Sequence, residues 1–155
     1  MPFMPIPAIA LLAGDPSAYP EGFTARCTGG RETVAMFPAD PARPVILGDD
    51  ASNASYTVTI QRLHGRFEVE LDGRDYSVRQ AESGRFRVHV LKAEAGDLVL
   101  SVETDSRGRS LTVYHLRYAG ARGALTASST SYRGHGSDDT SLMTMSCKID
   151  SQPVP

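Results

Sequence analysis

The chain has 155 residues, the usual size of one domain and enough to bury most of its apolar surface without a metal or many disulfides. With 22% charged residues, 41% apolar residues and a formal net charge of −2, it is too apolar for a disordered chain. It also lacks the broad positive field that phosphate binding needs, so nucleic acid is not an expected partner.

Residues 1–13, MPFMPIPAIALLA, form an apolar run too short to span a bilayer and without a basic region before it. In Leu12-Ala13-Gly14-Asp15 an Asp stands where a lipoprotein cleavage box needs Cys, so neither lipidation nor membrane insertion is expected. We take 1–20 as an apolar tail, either the remnant of an export signal whose start lies upstream or a disordered, proline-broken tail, 21–150 as a single β-barrel domain, and 151–155 as a second tail. The two cysteines, Cys27 and Cys147, bracket the folded part and belong to no C-x-x-C or His-rich cluster. They are either two inert buried thiols or one disulfide joining the first strand to the last. We expect the disulfide, and with it a periplasmic or extracellular protein.

No long segment carries apolar residues at helical spacing, and Pro or Gly interrupts every candidate. Strand alternation recurs instead. Residues 22–28 and 32–37 flank Gly29-Gly30-Arg31 as an N-terminal hairpin, and the proline-rich 38–54 is expected to be a surface loop.

From residue 55 turn signals and apolar alternation agree with each other. A two-residue turn at His64-Gly65 sets Ile60 opposite Val69 and Val58 opposite Leu71. Asp72-Gly73 is the strongest hairpin signal, and a turn there sets Val69 against Tyr76 and Phe67 against Val78. A three-residue loop at Glu82-Ser83-Gly84 sets Val78 opposite Val88 and Tyr76 opposite Val90. The same device at Glu94-Ala95-Gly96 sets Val90 against Leu100 and Val88 against Val102. Five consecutive strands then share one apolar face.

After Val102 the loop Asp105–Gly108 allows two registers. One buries Leu111, Val113 and His115; the other, which we expect, buries Thr112, Tyr114, Leu116 and Tyr118. Two further strands follow near 123–132 and 141–149, and the last turns Met143, Met145, Cys147 and Ile149 to one side. The expected fold is therefore all-β: a single antiparallel up-and-down meander of about eight strands over roughly 55–149. It closes into a barrel because an open meander would expose two edges.

Successive hairpins alternate between barrel rims, so this meander gathers the loops at 64–65, 82–84, 106–109 and 133–140 on one rim. The opposite rim takes 72–73, 94–96 and 119–123. The first rim is richer in ionisable groups, and His64, Arg85, Arg107, Arg109, Arg133, His135, Asp138 and Asp139 are its candidate binding residues. Their spacing matches no metal signature, so no metal and no cofactor is assigned. The outer face is expected to carry a row Gln61, Glu68, Ser77, His89 and Ser101 that lacks an oxyanion donor and an orienting carboxylate, so no catalytic residue is assigned. Neighbouring outer positions set Arg79 opposite Arg87, Glu70 opposite Asp75 and Leu91 opposite Val99.

Three functional readings follow. The preferred one is an exported, non-catalytic barrel that binds another macromolecule, as an inhibitor or envelope accessory protein does; this rests on fold-level analogy. The second is a lipocalin-like carrier of a small apolar ligand inside the barrel. The third is an enzyme working at the rim through His64, His135 or Asp138.

Overall fold

The computed structural model describes residues 18–38, 40, 42–50, 56–73, 76–80, 86–104, 109–132 and 138–150. Its strands are β1 (Thr24–Phe37), β2 (Ile46–Asp50), β3 (Thr57–Leu63), β4 (Arg66–Gly73), β5 (Tyr76–Gln80), β6 (Phe86–Glu94), β7 (Asp97–Thr104), β8 (Arg109–Ala119), β9 (Arg122–Tyr132) and β10 (Asp138–Asp150). They form one antiparallel sheet, nearly closed into a barrel, in the order β5-β4-β3-β1-β10-β9-β8-β7-β6, with β2 added to the side of β1. The seam lies where β6 approaches β4 and β5 without a ladder.

The first correction concerns residues 22–37. No hairpin forms: Gly29 and Gly30 sit inside one long strand, opposite the single residue Met145, as a β-bulge with Gly29 at φ 74°. Two glycines remove the Cβ obstacle to such a bulge as readily as they permit a turn, so the local signal has two outcomes. Before the bulge Ala25 and Cys27 face the core beside Ile149 and Cys147. After it the inward parity shifts to Glu32, Val34 and Met36. The segment expected to be loop contributes β2, whose Ile46–Asp50 pair with the second half of β1.

The insertion of β1 has a topological consequence. It is antiparallel to both β3 and β10, pairing Thr24 with Gln61 and with Asp150. β3 and β10 therefore point the same way, which an unbroken eight-strand meander forbids. The alternation is broken once, at the seam, where β5 and β6 run in the same direction. The expected β5–β6 hairpin, with Val78 opposite Val88 and Tyr76 opposite Val90, is accordingly not formed. The loop 81–85 lies outside the described residues.

Other registers hold or slip for identifiable reasons. His64 and Gly65 both have positive φ (54° and 76°), as a two-residue hairpin turn of this type needs, and Ile60↔Val69 and Val58↔Leu71 are paired. The expected turn at Asp72-Gly73 is not formed: Gly73 belongs to β4 and faces Tyr76, so Leu71 faces Val78 and Val69 faces Gln80. That slip pairs position 70 (Glu) with position 79 (Arg) in the ladder, and Arg87 is paired with Glu103, so residue types of opposite charge are register partners where like charges were expected. Between β6 and β7, Val90↔Leu100 and Val88↔Val102 are paired, through a two-residue turn and a bulge at Leu91 in place of a three-residue loop. The bulge brings Lys92 opposite Val99 and leaves Leu91 46% exposed. Gly96 is at φ 81° and a Cβ there would lie 2.8 Å from the Tyr118 carbonyl oxygen, so this turn requires glycine.

The second of the two registers after Val102 is the one formed: Val102 faces Thr112, and Tyr114 and Leu116 are buried. The core joins these to Val58, Ile60, Phe67, Val69, Val88, Leu98, Leu100, Leu125, Met145 and Ile149. Tyr19, assigned by sequence to the N-terminal tail, is completely buried, so the packed unit begins before residue 21. Cys27 and Cys147 are direct cross-strand partners joined by a disulfide across a sequence separation of 120.

Two measurements follow. Replacing both cysteines by Ala should lower stability by up to about 4–5 kcal/mol, the chain-entropy ceiling for so long a loop, in denaturant unfolding with and without reductant; equal stability in all states would contradict a structural role. Burial pushes the Tyr114 phenol up to about 12. Below the ordinary phenol range both states are protonated and stability is full. As pH rises from about 10 towards 12 only the unfolded chain ionises, and the fold should lose on the order of 2–3 kcal/mol. Tyr114→Phe should flatten this part of the alkaline unfolding curve.

Candidate functional site

Followed along the ladders, the sheet has two unlike ends. The near end carries the start of β1, the turns 64–65, 95–96 and 120–121, and the end of β10. The far end carries the end of β1, β2, the start of β10, the end of β9 and the start of β8.

The near end is filled. Residues 18–23 cross it before β1 begins. Tyr19 packs edge-on against Phe23 and Phe67, with ring centroids 4.9 and 5.5 Å apart, and Tyr118 completes the cluster. Such contacts add to the area that aromatic rings bury. The Tyr19 hydroxyl donates to the Glu94 carbonyl at 2.7 Å, and burial, with Tyr118 beside it, pushes this phenol upward. Arg62 donates from its guanidinium to the Tyr19 carbonyl, while the Gly22 amide donates to the Arg62 carbonyl at 2.9 Å. The Gly65 amide donates to the Glu21 carboxylate at 3.1 Å, tying the strap to the β3–β4 turn.

The residues proposed from the sequence as one binding rim do not share an end. His64 lies in the near-end turn, whereas Arg109, Asp138 and Asp139 lie at the far end. The length of β1 separates them, because the parity break at the seam exchanges the ends of every later loop. Arg85, Arg107, Arg133 and His135 lie outside the described residues. Among the described residues no group of His, Cys, Asp and Glu is arranged to hold a metal ion, and no helix is long and apolar enough to cross a membrane.

The outer row is also divided. Gln61 faces Glu68 and His89 faces Ser101, but Ser77 faces Asp72 and the seam separates the two halves. Glu68 is buried although it points away from the core, and it accepts from Gln61 and Arg66, both at 3.4 Å. A cluster missed in the sequence lies on the outer face of β6–β8. Asp97 accepts from Lys92 at 2.5 Å and pairs with His115 Nε2 at 2.7 Å. Lys92, then His115, hold the Asp97 carboxyl below the usual carboxylate range. The bulge at Leu91 is what brings Lys92 to this face, by shifting the alternation of β6 by one residue. The pair is solvent-facing, with side-chain exposures of 44% for His115 and 27% for Asp97, so it fits a surface ion pair.

The far end differs in kind. Here the sheet extends past the core, and apolar side chains stay in contact with solvent on both faces. Leu47, Ala35, Thr140, Thr130 and Leu111 form one cross-strand row on the outer face, with Leu142 one row nearer the middle. Met36 and Ile46 are opposite each other on the face continuous with the core. Leu47 is 75% exposed and Ile46 54%. The sequence pattern does not show this surface, because the prolines mark 38–54 as a loop and Gly29-Gly30 marks a hairpin within 22–37. No family model, no curated protein and no solved structure matches the chain.

The near end yields a stability test. Tyr19→Ala should cost about 3–5 kcal/mol, as other large aromatic truncations in cores do, and Tyr19→Phe only about 1 kcal/mol for the lost hydrogen bond. Equilibrium urea unfolding separates the two; equal, negligible effects would show that the strap is not part of the packed unit.

Proposed function

We propose that the protein is an exported, non-catalytic domain that binds another macromolecule, and that the far end of the sheet is its contact surface. The observation that carries this reading is the distribution of large exposed apolar side chains. Among the described residues Met36, Phe37, Val45, Ile46, Leu47, Leu111, Tyr132 and Leu142 all lie at or beside the far end, and only Leu91 lies elsewhere. Apolar surface gathered in one region marks interaction sites more often than scattered single residues do. The disulfide suits an oxidising compartment and so favours export.

A small apolar ligand within the barrel has less support. The inward side chains Ile60, Phe67, Val69, Leu98, Leu100, Leu116 and Leu125 are essentially without solvent contact, as in a filled core. The enzymatic reading loses its constellation, since His64 and Asp138 stand at opposite ends of β1.

The test pairs Leu111→Lys with Leu142→Lys, two exposed positions whose change should leave the fold intact by circular dichroism. The doubly substituted protein should lose at least about tenfold in affinity for whatever the wild-type protein retains from envelope extract, a change of roughly 1.4 kcal/mol or more. Unchanged retention would refute the far end as the contact surface.

A further inference from the structure

We infer that the outer wall at the near end binds an anionic polysaccharide, held by a row of cations formed by Arg26, Lys148 and Arg122 with Arg117 beside them. This surface is separate from the far end, and the inference does not depend on the binding reading above. Alternation dictates the row. Ala25 and Cys27 on β1, Cys147 and Ile149 on β10 and Leu125 on β9 are buried in the core, so Arg26, Lys148 and Arg122 point outward. The ladders set Arg26 opposite Lys148 and Lys148 opposite Arg122. Arg117 of β8 faces Ala124 and is the diagonal neighbour of Arg122. With adjacent strands about 4.8 Å apart, three cations line up across roughly 10 Å of the sheet.

Like charges directly opposite each other destabilise a sheet. No described carboxylate neutralises this row. All four side chains are exposed, and among the described residues none makes a hydrogen bond or an ion pair. The nearby acids are engaged: Asp97, the register partner of Arg117, is bonded to Lys92 and His115, while Asp150 and Glu70 have partners of their own. On a chain of net charge −2, this is a local excess of positive charge that an anionic partner would neutralise.

The side chains around the row select the class of anion. Thr24, Thr28, Thr59, Ser146 and Ala124 flank it on the same face and supply hydroxyls and methyl groups only. The large exposed apolar side chains of the described residues lie at the far end, Leu91 excepted. Protein interfaces draw most of their energy from buried aromatic or aliphatic anchors. Peripheral membrane surfaces insert apolar side chains, and single-stranded nucleic acid stacks on aromatic rings. This wall offers none of these. A polysaccharide carrying carboxylate or sulfate groups needs only what is present: guanidinium groups that grip such oxyanions in bidentate fashion, and hydroxyls that donate to and accept from sugar hydroxyls.

The probe is fluorescein-labelled dextran sulfate, titrated into the full chain by fluorescence anisotropy beside labelled neutral dextran. The sulfated polymer should bind, more weakly as salt rises, and neutral dextran should not. The doubly substituted Arg26→Gln, Lys148→Gln protein, folded by circular dichroism, should bind at least about tenfold more weakly, whereas Arg43→Gln with Arg87→Gln, which removes the same charge elsewhere, should stay within about twofold of wild type. In the wild-type protein the probe should shift the backbone amide resonances of 25–27, 121–123 and 147–149. Absence of binding, equal weakening of both variants, or resonance shifts confined to other strands would overturn the inference. Polyglutamate, a DNA duplex and phosphatidylglycerol vesicles, compared at equal charge, should each displace the probe less effectively than unlabelled dextran sulfate. Equal or better displacement by any of them would also overturn it, assigning the row to an acidic polypeptide, a nucleic acid or a membrane instead.

Discussion

The architecture depends on one strand in one place: β1 lies between β3 and β10 and is bonded to both along its first half. Because both neighbours are antiparallel to it, β3 and β10 are forced into the same direction. Eight strands joined only by hairpins would run them oppositely. The chain meets this constraint by breaking the alternation once, between β5 and β6, and leaving a seam there. Cys27 and Cys147 tie β1 to β10 within the part of β1 that is laddered on both sides, so the covalent link reinforces the contact that determines the topology. A link across so much chain restricts the unfolded ensemble more than a local one does.

From this follow the two ends. Before the bulge at Gly29-Gly30, β1 has a full complement of neighbours, and its inward residues join a core closed by Tyr19, Phe23, Phe67 and Tyr118. After the bulge the strand runs beyond β3 and takes β2 as its neighbour instead. There the sheet has no opposing layer among the described residues, and Met36, Ile46, Leu47 and Leu142 remain in contact with solvent. A sheet needs something against at least one face for independent stability. The near end supplies that for the whole unit. The far end is thereby left with apolar side chains in contact with solvent.

The polar constellations illustrate how strongly position depends on topology. His64, Arg109, Asp138 and Asp139 are all beside turns or strand ends, as their sequence context implies, yet the first is separated from the others by the length of β1. Lys92, Asp97 and His115, unremarkable in sequence, converge because a bulge turns Lys92 toward them. Neither outcome is encoded in residue type; both come from how many strands stand between two loops and from where one residue is bulged.

Sequence alone determined the all-β class, the shared inward face of the strands, the His64-Gly65 turn and the pairings Ile60↔Val69, Val88↔Val102 and Val90↔Leu100. These are consequences of period-two alternation and local turn chemistry, which act over a few residues. For the strand after Val102 and for the two cysteines the sequence allowed two outcomes each, and the structure forms the expected one: Tyr114 and Leu116 are buried and Cys27 is bonded to Cys147. Tertiary structure alone decided that Gly29-Gly30 is a bulge, that 46–50 is a strand, that β5 and β6 do not pair, and that Tyr19 is core. Each of these depends on which distant strand lies alongside, and the free energy of those contacts belongs to pairs of segments that no local pattern connects.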